Sequence, residues 1–187
     1  MRIRAATPDD SAAISEIYAP YVSASAVSFE AEPPGPEEIA ARMGAVADLY
    51  PWLAAEENGA ILGYAYGAAF RTRHAYRFTV ETTVYLREAA QGRGIGRLLY
   101  APLLELLERQ GFTQAIAAIA LPNEASVQLH ERLGFRHAGT YGQVGFKLGR
   151  WWDVGLWQRA LAQPAAGPGE PLPLDKVAWP EAISRSG

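Results

Sequence analysis

Apolar positions along the chain change period several times, and each change marks a different element. Ile3 and its neighbours read as a short first strand. Ile14, Ile17, Tyr18 and Tyr21 then recur at helical spacing and predict a helix over residues 8–22. Thr7-Pro8-Asp9-Asp10 marks its start: Thr7 caps, Pro8 fits the first turn and the acids face the helix dipole. Pro33-Pro34-Gly35-Pro36 breaks the chain, and Glu37 and Glu38 open a second helix with Ile39, Met43 and Val46 inward. Trp52 to Ala55 and Ile61 to Phe70 flank Asn58-Gly59, the dipeptide suited to a tight hairpin. Residues 78–86, rich in Thr, Val and Tyr, predict a further strand. Leu98, Leu99, Leu103, Leu106 and Leu107 mark a long amphipathic helix ending at Gly111, with a bend expected at Pro102. Phe112 to Leu121 reads as a buried strand and Asn123 to Leu133 as a short helix stopped by Gly134. Phe146 to Leu161 reads as mostly one last strand.

This order predicts one α+β domain over residues 1–162, with a mixed, mostly antiparallel sheet. From 163 to 187 the chain is Pro- and Gly-rich without periodicity, a tail ordered only where it docks, with Val177 and Trp179 as its apolar surface.

Composition narrows the chemistry. A net charge of −3 gives no clustered basic face for nucleic acid. Arg71, Arg73, Arg77 and, separately, Arg93 and Arg97 suit only one or two anionic groups of a small molecule. The absence of cysteine excludes disulfides, a thiolate zinc site and a cysteine-borne acyl-enzyme. Three scattered histidines (His74, His130, His137) argue against a metal site. No segment approaches the roughly 18–20 apolar residues of a membrane span, and Met1-Arg2-Ile3-Arg4 leads straight into structure. A cytoplasmic protein without a membrane partner is the simplest expectation.

The strongest chemical signal is Gln91-Gly92-Arg93-Gly94-Ile95-Gly96, between a strand and the long helix. Glycines bring backbone N–H groups within reach of an anion, the helix N-terminus adds about half a positive charge, and Arg93 and Arg97 pair with phosphate oxygens. The spacing is G-x-G-x-G, not the dinucleotide G-x-G-x-x-G, and no Gly-Lys-Ser/Thr of a P-loop follows. Alone, the turn supports anion binding or a plain connection.

That turn resembles the Q/R-x-x-G-x-G/A signature of the GNAT superfamily of N-acetyltransferases. Asn123-Glu124-Ala125-Ser126 followed by His130-Glu131-Arg132-Leu133-Gly134-Phe135 resembles the superfamily's second acetyl-CoA motif. Tyr50-Pro51-Trp52-Leu53, Glu81-Thr82-Thr83-Val84-Tyr85, Leu121-Pro122-Asn123 and Trp152-Asp153-Val154-Gly155-Leu156-Trp157-Gln158 resemble the phosphinothricin and methionine sulfoximine N-acetyltransferase group, over about residues 1–161. The resemblance implies an αβα-layered fold with two central strands splayed apart. Acetyl-CoA, the acetyl donor, would enter between them, held by backbone near Val84, Tyr85 and Leu86, by Gly92, Arg93, Gly94, Ile95, Gly96 and Arg97, and by Asn123 and Ser126. No metal is implied, and a homodimer is, with Trp151, Trp152 and Trp157 as candidates for either its interface or the core.

An amine attacks a thioester only in its neutral form, so direct transfer in a ternary complex needs a proton acceptor. Glu81, midway along an otherwise uncharged strand, is either that base or a strand residue paired with Arg71 or Arg73; the resemblance favours the base. His130 stands where many relatives carry a tyrosine near the thiolate, and is either a proton donor or a structural helix residue. Arg71, Arg73 and Tyr76 lie in Phe70-Arg71-Thr72-Arg73-His74-Ala75-Tyr76, just before the Glu81 strand. The two guanidinium groups either grip an anionic acceptor or pair with Glu30 or Glu32, and the resemblance places Phe29 and Tyr85 at the pocket wall. Leu148 and Trp152 stand where the group usually carries histidines, which puts phosphinothricin itself in doubt. The acceptor implied is a small amino-acid-like amine of the phosphinothricin, methionine sulfoximine or methionine sulfone type. A protein N-terminus or polyamine acetyltransferase, and a non-catalytic acyl-CoA-binding module, remain as alternatives.

Overall fold

The computed structural model describes residues 1–163 and 165–184; position 164 and residues 185–187 of the expected tail lie outside the described residues. The strands are β1 (Arg2–Ala5), β2 (Trp52–Glu57), β3 (Ala60–Ala69), β4 (Thr79–Leu86), β5 (Gln114–Leu121), β6 (Arg136–Lys147), β7 (Arg150–Ala160) and β8 (Ile183–Ser184). The helices are α1 (Ser11–Ser23), α2 (Pro36–Gly44), α3 (Ile95–Arg109) and α4 (Glu124–Arg132). One sheet holds all eight strands in the order β6-β7-β5-β4-β3-β2-β1-β8. Only β4–β5 and β1–β8 are parallel pairs among them.

Alternation along the strands explains the three layers. Leu53, Ala65 and Val80 point to one face, where Leu99, Leu103 and Leu106 of α3 and Leu129 of α4 cover them. Ala54, Tyr64 and Tyr85 point to the other, beneath Ile14, Ile17 and Val22 of α1 and Ile39 and Met43 of α2. Asn58 and Gly59 both have positive φ (52° and 79°) and form the expected hairpin turn. Helix α3 runs on through Pro102 to Arg109. Among the described residues no helix is long and apolar enough to cross a membrane.

Two expectations differ from the structure. The first helix begins as a 3-10 turn at Pro8–Asp10, because Asp10 is turned back to receive the Thr7 amide at 2.8 Å and a bidentate Arg4 at 2.7 Å. The expected single last strand is a hairpin, β6 and β7, joined at Leu148-Gly149. Strand β6 has little periodicity because it is exposed along most of its length and its register shifts twice, so only pairing with β7 defines it. Trp157 is 5% exposed and belongs to the core, whereas Trp151 is exposed.

Residues of the tail lie along the body. The Leu172 amide donates to Gln110 O (2.7 Å), the Leu174 amide to Asp48 O (2.8 Å), and β8 pairs with the free edge of β1. Ile183 enters the core at 5% exposure, so the edge strand β1 is covered.

Candidate active site

Strands β4 and β5 share a ladder only at Thr79↔Gln114, Val80↔Ala115 and Glu81↔Ile116. Beyond it β4 continues to Leu86 beside β3, and β5 to Leu121 beside β7. The two strands therefore diverge into a wedge while each keeps its outer neighbour. The Arg87 amide bonds to Leu62 on β3, so by alternation the backbone groups of Val84 and Leu86 face the wedge and those of Tyr85 face β3. Tyr21 reaches in from α1: its hydroxyl donates to Leu86 O (2.6 Å), accepts from the Leu86 amide (3.4 Å) and accepts from Gln91 Nε2 (3.1 Å).

The glycine turn sits at the wedge's mouth. Gly92 and Gly94 have φ of +72° and +78°, conformations that side-chain-bearing residues rarely adopt. Gly94 is the N-cap of α3 and supplies no side-chain cap, and among the described residues the amides of 92–96 find no acceptor. A Cβ at Gly92 or Gly94 would meet nothing within 4 Å. A run of unpaired amides at a helix N-terminus, with open space before it, fits a phosphate group. Arg93 is turned to Glu57 (2.9 Å), while Arg97 is exposed with no ion pair among the described residues.

Glu81 lies at the last rung of the ladder and on the face of α1 and α2. Burial raises its carboxyl above the usual range, against a smaller opposing pull from Arg71. No ion pair or hydrogen bond holds the carboxylate among the described residues, so neither Arg71 nor Arg73 is tied to it within 4 Å. Glu30 is not their partner either, since Arg42 grips it through two bonds of 2.7 and 2.8 Å. Arg71 instead lies over the Phe70 ring, and Tyr76 packs edge-on against that ring. Beside Glu81, with Ala68 directly opposite it in register, is a cavity of about 330 Å³. Tyr18, Arg42, Trp52, Tyr64 and Tyr66 wall it, and Trp52 and Tyr66 stack at 4.2 Å. A larger cavity of about 560 Å³ lies between α2 and the tail, away from Glu81.

Two expected site residues are in the core. Tyr85 is 8% exposed and packs on Tyr18, Tyr21 and Tyr64, so its ring does not line the opening. His130 is 3% exposed, with Nδ1–H donating to Ser126 O at 2.7 Å and Nε2 3.0 Å from the Tyr100 hydroxyl. Burial lowers its pKa, against a smaller opposing pull from the Ser126 bond. The Tyr100 hydroxyl in turn bonds to Thr82 Oγ1 at 2.7 Å, and Thr82 to Ile116 O, the carbonyl at the end of the β4–β5 ladder. Asn123 accepts the Ser126 amide and starts α4. Phe29 is 44% exposed on the segment between α1 and α2. Tyr100, Trp52 and Tyr66 escaped the sequence reading because each sits in a hydrophobic run indistinguishable from core. Leu148 occupies the β6–β7 turn, and the Trp152 indole donates to Lys147 O (2.8 Å).

The chain matches the acetyltransferase (GNAT) domain family over residues 3–156. It is 44% identical to a phosphinothricin N-acetyltransferase of Streptomyces viridochromogenes, over 88% of this chain and 90% of that one. It is 39% identical to an L-methionine sulfoximine/L-methionine sulfone acetyltransferase of Salmonella typhimurium, over 89% and 98%. A GNAT superfamily phosphinothricin acetyltransferase from Sinorhizobium meliloti, solved with AcCoA, superimposes with a TM-score of 0.87 at 39% identity, over 94% of this chain and 96% of that one.

Proposed function

The chain belongs to the GNAT acetyltransferase family, and on that premise we propose that it moves an acetyl group from acetyl-CoA to the amine of a small amino-acid-like acceptor. The observation that carries this is the Glu81 carboxylate, without an ion pair or hydrogen bond among the described residues, at the apex of the β4–β5 wedge on one side and beside an aromatic-walled cavity on the other. Acetyl-CoA supplies the thioester when bound. The amides of 92–96 and Arg97 hold its phosphates, backbone of Val84 and Leu86 lines its path, and Asn123 and Ser126 stand at the start of α4. Glu81 takes one proton of the acceptor ammonium, the freed amine forms the new C–N bond at the acetyl carbonyl as the C–S bond breaks, and the second amine proton goes to the departing CoA thiolate, while Arg71 and Arg73 hold the acceptor's anionic end. His130 acts through Tyr100 and Thr82 on the geometry of the apex, because both its nitrogens are engaged. The protein works in the cytoplasm as a homodimer, with Val144, Phe146, Leu148 and Trp151, all more than half exposed on the β6–β7 hairpin, as the self-complementary surface.

Purified protein with acetyl-CoA, a thiol-release readout and a panel of amino-acid analogues, polyamines and peptides tests the acceptor. Turnover is expected with L-methionine sulfone or a similar anionic amine; turnover confined to polyamines or peptides discards the reading. Sedimentation of the same sample at assay concentration should show two copies, and a monomer removes the interface.

Gly94→Val tests the phosphate site. A β-branched residue at φ +78° costs about 1–2 kcal/mol, and its methyls fill the open space before the amides. The acetyl-CoA Kd should rise on the order of tenfold. An unchanged Kd by calorimetry would sink the placement of the phosphates.

A further inference from the structure

The segment between α1 and α2 is fastened to strand β6 at two points. Lys147 Nζ donates to three backbone carbonyls, Val22 O (2.5 Å), Ser28 O (2.7 Å) and Glu30 O (3.0 Å). Val22 lies in the last turn of α1, where a cation also meets the negative end of the helix dipole. Two residues back on the same face of β6, Gly145 lies against the Phe29 ring. A Cβ there would sit 2.3 Å from the ring, so only glycine lets Phe29 lie on this strand.

The fastening reaches the cavity beside Glu81. Glu30, whose carbonyl Lys147 binds, turns its carboxylate to Arg42 and to the Tyr18 hydroxyl (2.9 Å). Tyr18 and Arg42 both line that cavity. Ser28, 6% exposed, bonds to the same Tyr18 hydroxyl at 2.6 Å. The path is continuous from β6 through residues 28–30 to two of the cavity's walls.

We propose that Lys147 and Gly145 are positioning residues for the acceptor: they clamp residues 24–31 so that Phe29 and the Glu30–Arg42–Tyr18 group keep the cavity beside Glu81 in a binding shape. This rests on reading that cavity and Phe29 as the acceptor site. Among the described residues Lys147 and Gly145 make no bond to the glycine turn or the β4–β5 wedge, and the nearest link runs through Ser25 to the Tyr21 carbonyl (2.9 Å), so the main effect falls on the acceptor and a smaller one on acetyl-CoA.

Lys147→Met, Lys147→Arg and Gly145→Ala separate the roles, with L-methionine sulfone as probe or whichever panel acceptor turns over. Lys147→Met and Gly145→Ala should each raise the acceptor KM on the order of tenfold, the effect of losing one charge-assisted contact. The acetyl-CoA KM should stay within about twofold, and Lys147→Arg should restore part of the acceptor KM. Amide exchange over 22–31 should quicken in Lys147→Met, a readout that needs no acceptor. Unchanged exchange overturns the clamp even where no acceptor turns over, whereas absence of wild-type turnover with faster exchange in the variant overturns only the acceptor reading. Unchanged acceptor KM, or both KM values rising together with a lowered unfolding midpoint, overturns the positioning role.

Discussion

Glu81→Gln should lower kcat/KM for the acceptor by about 10²–10⁴-fold, the usual contribution of a positioned general base, while acetyl-CoA affinity stays near the wild-type value. The amide keeps the size of the side chain and removes only the proton acceptor. An alkylammonium of pKa near 10 needs that acceptor at neutral pH. Burial raises the Glu81 carboxyl, and the weaker field of Arg71 only moderates it. Its active form is the carboxylate, so the wild-type rate rises with pH through this raised pKa. The Gln variant should lose that limb and follow the free-amine fraction alone. Wild-type turnover in the variant dismisses Glu81 as base, and survival of the same acid limb assigns that limb to another group.

The second large effect concerns stability. Asp10 and Arg4 are 8% and 9% exposed and joined by two bonds of 2.7 Å; Arg4 also reaches Glu56 at 2.6 Å. Asp10→Ala leaves a buried guanidinium short of its partner and frees the Thr7 amide, which should cost about 3–5 kcal/mol. That corresponds to a Tm lower by on the order of 10 °C for a chain of this size. Burial pushes the Asp10 carboxyl up, but Arg4 and the Thr7 amide together pull it below the ordinary range. A depressed carboxyl contributes stability that is present above its unfolded pKa, near 3.9, and lost as pH falls through the lower folded value. The variant's unfolding free energy should therefore fall less steeply into acid than the wild type's. Urea melts at neutral and acid pH check this; a loss under about 1 kcal/mol at neutral pH would mean that water replaces the carboxylate.

Local signals carried most of the element order. The apolar period of α1, α2 and α3, the Asn58-Gly59 turn and the alternating glycines before α3 each depend on residues a few positions apart, and each lies close to where the pattern placed it, although α1 starts only at Ser11 and α2 ends at Gly44, before Val46. The same holds for Glu81, whose strand was legible from its β-branched neighbours. Strand β6 was not legible, because a mostly exposed strand with three glycines, Gly139, Gly142 and Gly145, has no apolar stripe of its own. The pairings of Asp10 with Arg4, Glu30 with Arg42 and Lys147 with three carbonyls were also hidden. Charged residues look alike along a chain, and partners 6, 12 and over 100 positions apart meet only when the sheet forms.

By itself, then, the sequence determined the order of the elements, the glycine turn at the head of α3 and the carboxylate on β4, since near neighbours set backbone conformation. Only the tertiary structure decided where β4 leaves β5, that His130 and Tyr85 are core, and which side chains wall the cavity beside Glu81. Those depend on burial and on distances between elements far apart in the chain, which leave no periodic trace in it.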